Sequence, residues 1–143
     1  MKGIKTEITI NAPKEKIWAL LSDLDNYQNW NNIITNVKSS LQVDRGFRFK
    51  IDIFGQAVPM TAKVHRADEN QYLGWGNDYQ SWVKMILAAH HYFEIIEISE
   101  SQCKFVHAEQ FYGVVPFVLW PIINKMGKSY ERFNESLKSE AEK

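Results

Sequence analysis

His91-Tyr-Phe93-Glu-Ile95 and Phe105-Val-His107-Ala-Glu109-Gln-Phe111 decide how this chain is read. Both stretches alternate, and a strand places every second side chain on one face. His91, Phe93 and Ile95 therefore share a face, as do Phe105, His107, Glu109 and Phe111. Glu100-Ser101-Gln102 between them predicts a hairpin, with strands at about 85–99 and 102–112. A helical pattern follows, with apolar residues at Trp120, Ile123, Met126, Tyr130, Phe133 and Leu137, so the terminal helix is expected from about 117 to 140. A curved sheet against such a helix leaves an apolar space into which two imidazoles and a carboxylate project. Small-molecule pockets are built this way, mostly apolar with a few placed polar groups.

Upstream, Ile4, Thr6, Ile8 and Ile10 alternate with Lys5, Glu7 and Thr9, which reads as a strand with one buried face. Asn11-Ala12-Pro13 breaks it. Pro13 fits a first helical position, Glu15 suits the helix dipole, and Ile17, Leu20, Leu21 and Leu24 follow at helical spacing, so a helix is expected over 13–22. Asp23-Leu-Asp25-Asn26 is placed to cap a second short helix reaching about Trp30. Ile33–Ser39, Phe47–Ile53, Met60–Ala67 and Tyr72–Trp75 read as strands, with a turn at Gly55 and a loop over 76–82. Hairpin-length connections give an α+β chain: a curved antiparallel sheet of about seven strands wrapped around a long C-terminal helix, with two short helices after the first strand. At 143 residues, one domain over 1–143 is expected.

The composition is 45% hydrophobic and 13% aromatic, which supports a thick core or an apolar cavity. Seventeen Lys and Arg balance seventeen Asp and Glu, so the formal net charge is zero, which argues against nucleic acid as a partner. Cys103 is the only cysteine, which excludes an intrachain disulfide and a Cys-based zinc site. The amino terminus lacks the apolar core of a secretion signal, and a reducing, cytoplasmic location is the expectation. The longest uncharged run, Phe111 to Ile123, contains Pro116 and Pro121. It falls short of the roughly 20 apolar residues of a membrane-spanning helix, so no transmembrane segment is expected.

Six motifs recur in a recognisable order: Ile10-Asn-Ala12-Pro13-Lys-Glu15-Lys-Ile17-Trp18, Asp23-Leu-Asp-Asn-Tyr27-Gln-Asn-Trp30-Asn31, Val43-Asp-Arg-Gly46-Phe47, His91-Tyr-Phe93, His107-Ala-Glu109-Gln-Phe111-Tyr-Gly113 and Phe133-Asn134-Glu-Ser-Leu137-Lys138. Together they resemble the START-like, helix-grip (SRPBCC) superfamily, in particular its polyketide cyclase/dehydrase and lipid-transport group. The resemblance implies a long terminal helix over a concave sheet with a ligand between them. It also implies a range of functions, from lipid and hormone binding through aromatase/cyclase and dehydratase activity to co-chaperone modules, because one fold hosts many functions.

The residues expected to line the space are Phe49, Trp75, His91, Phe93, His107, Glu109, Phe111, Phe117, Trp120, Ile123 and Tyr130. Glu109, His91 and His107 are the candidate catalytic groups, since a carboxylate among rings can act as general acid or base. The plainer reading is a buried polar network that satisfies itself. The same three residues have the composition of a catalytic zinc set, but no spacing motif supports it, so neither metal nor cofactor is expected. Gly113-Val-Val-Pro116-Phe117-Val-Leu-Trp120-Pro121 is either plain core or an exposed portal, with peripheral membrane contact through Val114–Pro121. Cys103 reads as structural, and His65 and His90 are expected to face outward. The leading function is binding of a small hydrophobic or amphipathic molecule of lipid, polyketide-like or aromatic type. The rivals are a cyclase, dehydratase or hydrolase-type enzyme using Glu109 with His91 and His107, and a protein-interaction module. Monomer and homodimer fit equally. What separates binder from enzyme is whether Glu109 and His91 touch only each other or face open space.

Overall fold

The alternating segments assemble into one seven-stranded sheet, curled around the terminal helix in the helix-grip arrangement. The computed structural model describes residues 2–39, 41–77 and 81–143. Its strands are β1 (Lys2–Ile10), β2 (Ile34–Thr35), β3 (Gly46–Ile53), β4 (Gln56–Asp68), β5 (Tyr72–Gly76), β6 (Ala88–Ser99) and β7 (Gln102–Tyr112). They lie in the order β1-β7-β6-β5-β4-β3-β2, and every neighbouring pair is antiparallel. The first strand therefore closes on the last, which places β7 between β1 and β6.

Helix α1 (Lys14–Ser22) buries Ile17 and Leu21, and a 3-10 turn over Leu24–Asn29 buries Leu24 and Tyr27. Asn31 then holds the chain. Its side-chain oxygen accepts the backbone N–H groups of Ile33 and Ile34, both at 2.8 Å. The strand expected over Ile33–Ser39 is only Ile34–Thr35, because Asn36 turns to a positive φ of 54° and carries the backbone out of the ladder. β3 and β4 form a hairpin through Phe54 and Gly55. Both have positive φ (51° and 85°), the geometry that matches strand twist in a two-residue turn.

Two further elements differ from the sequence-based expectation. The expected loop at 76–82 and the start of the strand expected at 85 give way to a short helix, α2 (Ser81–Ile86), and β6 begins at Ala88. Six residues are too few to display a helical period. Residues 78–80 of that expected loop lie outside the described residues. The terminal helix is segmented: α3 (Val114–Val118), α4 (Trp120–Ile123), a 3-10 turn over Asn124–Met126, and α5 (Gly127–Ala141). Pro121 has no N–H to return to the preceding turn, so the ladder is interrupted at Leu119, which caps both α3 and α4.

Helix α5 buries Tyr130, Phe133, Asn134, Leu137 and Ala141, the i, i+3, i+4, i+7 stripe of a helix with one covered face. Phe133 stacks on Phe93 of β6 at 5.3 Å between ring centroids. Arg132 reaches Asp52 of β3 at 2.8 Å and ties the other side of the helix to the sheet. No helix among the described residues is long and apolar enough to cross a membrane.

Gly113 joins β7 to α3 with a φ of 104°, and a Cβ there would run into the carbonyl of Ile86 at the end of α2. A Gly113→Ala change adds left-handed strain to that clash and is expected to cost about 2 kcal/mol or more. Urea denaturation measures it, and an unchanged midpoint would mean that α2 does not rest on this glycine.

Candidate functional site

The site begins with strand register. His91 pairs with Glu109 and Phe93 with His107 across β6 and β7, while Thr6 of β1 pairs with His107 on the other side. Alternation puts the side chains of Thr6, His91, Phe93, His107 and Glu109 on the inner face of the sheet.

A chain of hydrogen bonds fixes the polar groups. The Thr6 hydroxyl donates its one proton to the His107 carbonyl oxygen at 3.1 Å. Thr6 Oγ1 must therefore accept from Asn134, whose Nδ2 lies 2.9 Å away. That orientation turns Asn134 Oδ1 toward His107 Nδ1, 2.9 Å distant, so Nδ1 carries the hydrogen and donates. Burial holds the His107 imidazole well below its ordinary range, with the neighbouring His91 adding to the effect and the Asn134 hydrogen bond opposing it. His107 is thus neutral, and its Nε2 accepts from His91 Nε2 at 2.8 Å. The remaining His91 nitrogen, Nδ1, faces Glu109 Oε2 at 3.6 Å. A favourable contact across that gap requires one proton, carried by either partner.

Ring packing locks the two imidazoles. Trp75 of β5 stacks on His91 at 5.3 Å with 9° between the planes, and Tyr130 of α5 stacks on His107 at 4.5 Å. Glu109 is only 7% exposed, and its Oε2 is buried with no hydrogen-bond partner. The Tyr130 hydroxyl is a second such atom. A buried polar atom without a partner is uncommon and calls for a ligand group or water.

Glu109 and His91 sit on the wall of a cavity of about 30 Å³ lined from β3, β4, β5, β6 and β7, together with Phe49 and Trp75. That volume holds about one water molecule. Of the other expected lining residues, Phe93, His107 and Tyr130 form the stacked wall behind it, with His107 4.8 Å from Phe93. Phe111 packs on Trp120 at 6.2 Å, and Trp120 and Ile123 cover the core edge. Phe117 lies outside, 70% exposed, with the Lys2 ammonium 5.8 Å above its ring. Reasoning from sequence missed Ile51, Met60, Ala62, Asn77 and Ala89 as lining. Ile51 alternates with Phe49 and was legible. Asn77 and Ala89 bracket α2, and their convergence depends on a helix that the sequence did not reveal. Asn134 was also missed, although it falls on the apolar stripe of α5, where an amide needs a buried partner.

The two imidazole Nε2 atoms face each other at 2.8 Å, so neither is available to a metal ion, and no cluster of three ligating side chains exists among the described residues. Cys103 is fully buried, and its thiol is pushed up by burial first and by Glu97 and Glu15 after it, which suits a packing role. His65 and His90 stack on each other at 5.3 Å on the opposite face of the sheet.

The family description "polyketide cyclase / dehydrase and lipid transport" matches residues 1–142. No curated protein matches the chain in sequence. Among solved structures, a START superfamily protein from Mycobacterium smegmatis superposes with a TM-score of 0.79 at 18% identity, covering 98% of this chain and 97% of that one. The Zhui aromatase/cyclase from Streptomyces sp. R1128 gives 0.69 at 13% identity, covering 94% and 93%. Norcoclaurine synthase from Thalictrum flavum, in complex with dopamine and hydroxybenzaldehyde, gives 0.72 at 9% identity, covering 96% and 84%. At these identities the likeness is one of fold.

The buried neutral His107 makes stability depend on pH. The unfolded chain protonates this residue below about pH 6.5, and the folded chain does not until much lower. The stabilisation is therefore complete above about pH 6.5 and is lost as pH falls below it, at up to about 1.4 kcal/mol per pH unit. Denaturation measured between pH 7.5 and pH 5 is expected to show this slope in the native protein and a flatter one in His107→Gln.

Proposed function

This chain belongs to the polyketide cyclase/dehydrase and lipid transport family, and from that premise we propose that residues 1–143 act as one domain that binds a small hydrophobic or amphipathic molecule between the sheet and α5. The observation that carries the reading is Glu109 Oε2, buried without a hydrogen bond at the cavity wall, 3.6 Å from His91 Nδ1. These two atoms suit one polar group of a ligand, a hydroxyl or a carbonyl, while Trp75, Phe49 and Met60 offer apolar surface to a lipid-like or aromatic body. The cavity is small, so binding requires its walls to part. Met60 is a half-buried, unbranched side chain at the wall and is suited to repacking. The lone, buried Cys103 thiol fits a reducing compartment, and we place the protein in the cytoplasm.

A second reading, an acid–base enzyme of cyclase or dehydratase type, is favoured by one specific observation. The hydrogen-bond chain commits the His91 Nε2 hydrogen to His107, which leaves His91 Nδ1 and Glu109 Oε2, 3.6 Å apart at the cavity wall, as two sites open to a proton. Such a pair is placed to take a proton from a bound substrate or return one to it.

Glu109→Gln separates the two, because it keeps the shape and removes the titrating oxygen. For a binder, displacement of an apolar fluorescent probe is expected to show a modest change, within about tenfold, since an amide still meets a polar ligand atom. For an enzyme, turnover falls by about 10²–10⁴-fold while binding persists. Native mass spectrometry of gently purified protein should carry a bound small molecule. Absence of both a co-purifying molecule and any probe binding would remove the ligand-binding reading.

A further inference from the structure

We propose that α2 and the α3–α4 turn form a docking surface for an anionic lipid bilayer. The two segments lie side by side, because the Ile86 carbonyl at the end of α2 abuts Gly113 at the start of α3. Trp82, Met85 and Ile86 of the first and Val114, Phe117 and Val118 of the second are each more than half exposed, with Met85 at 75%. An apolar surface of this kind on a chain with a well-filled core marks a place that something else covers.

Charge identifies the occupant. Residues 81–86 and 113–123, which carry the exposed apolar side chains, contain Lys84 and no carboxylate. Lys2 extends over the same surface, 5.8 Å from the Phe117 ring centroid and 5.5 Å from that of Trp120, and Lys84 lies 5.4 Å above Tyr112. A second copy of the chain would set lysines against lysines with nothing in these segments to offset them. A bilayer with anionic headgroups meets both demands, since lysines pair with the headgroups while Trp82, Phe117 and Met85 enter the boundary below them. Asn77 and Ala89, which flank α2 and hydrogen-bond to each other at 2.8 and 3.2 Å, also line the cavity. Docking would therefore hold one rim of the cavity at the lipid surface. The inference stands apart from the ligand reading, since the surface exists whether or not the cavity is filled.

Co-sedimentation with vesicles tests it, using phosphatidylcholine alone and phosphatidylcholine mixed with phosphatidylglycerol. The native chain is expected to bind the mixed vesicles, to bind phosphatidylcholine at least tenfold more weakly, and to lose binding as salt screens the lysines, each of which contributes about fivefold at low salt. Met85→Ser with Val118→Ser is expected to weaken binding to the mixed vesicles by about tenfold or more. Lys84→Glu is expected to do the same for mixed vesicles only. All of these positions are exposed, and unchanged thermal unfolding curves check that the variants fold. The proposal is overturned by failure of the native chain to bind mixed vesicles, or by equal binding of the variants. It is also overturned if ultracentrifugation shows self-association that the Met85→Ser, Val118→Ser variant abolishes, which would assign the surface to a second copy.

Discussion

The hydrogen-bond chain Thr6–Asn134–His107–His91 is the constraint on which the rest of the structure depends. It crosses four elements, β1, α5, β7 and β6, in a region without bulk water. Removing any link leaves a buried polar group unsatisfied, at a cost of about 1–3 kcal/mol. Because side chains alternate, a one-residue slip of β1 or β6 against β7 would take Thr6 or His91 to the outer face and break the chain. The network thus fixes two strand registers and the rotation of α5 about its axis together. Apolar packing alone, through Phe93, Phe105 and Phe133, tolerates more variation, since rings repack where hydrogen bonds do not.

The same chain gives the cavity its polarity. At its inner end every donor has an acceptor, from a backbone carbonyl through two side chains. At its outer end it stops at His91 Nδ1 and Glu109 Oε2, where partners run out. The pairing with Trp75 on one side and Tyr130 on the other keeps both imidazoles from swinging to other partners. Preorganised groups of this sort cost little further ordering when a ligand arrives, although the walls beyond them must still open.

The fold is shared more widely than its residues. A TM-score of 0.79 at 18% identity means that the backbone fold is shared while most side chains differ. Proteins bearing this architecture include a START superfamily member, an aromatase/cyclase and norcoclaurine synthase. The fold alone therefore does not set activity. In this chain the inner face carries Glu109 and His91, and exposed apolar side chains lie on α2 and α3.

Alternation in β1, β3, β6 and β7 and the stripe on α5 were written in the sequence, because periods of two and of about 3.6 survive over eight or more residues. They determined the sheet, its antiparallel sense and the inward face that carries His91, His107 and Glu109. The tertiary structure alone decided what those groups do. Whether His107 faces Asn134 or solvent depends on how α5 is rotated over the sheet, and that in turn sets which nitrogen of His91 is left for Glu109. α2 escaped notice because six residues are too few for a period, and with it went the placement of Asn77 and Ala89. The division of the terminal helix was signalled by Pro116 and Pro121, but where its segments would lie was not. Exposure of Phe117 beside the buried Pro116 follows from the turn at Gly113, whose conformation is set by a carbonyl twenty-seven positions earlier in the chain, Ile86. Local patterns are short-range properties of the chain, whereas cavity volume, proton placement and exposed surface arise from distant segments meeting.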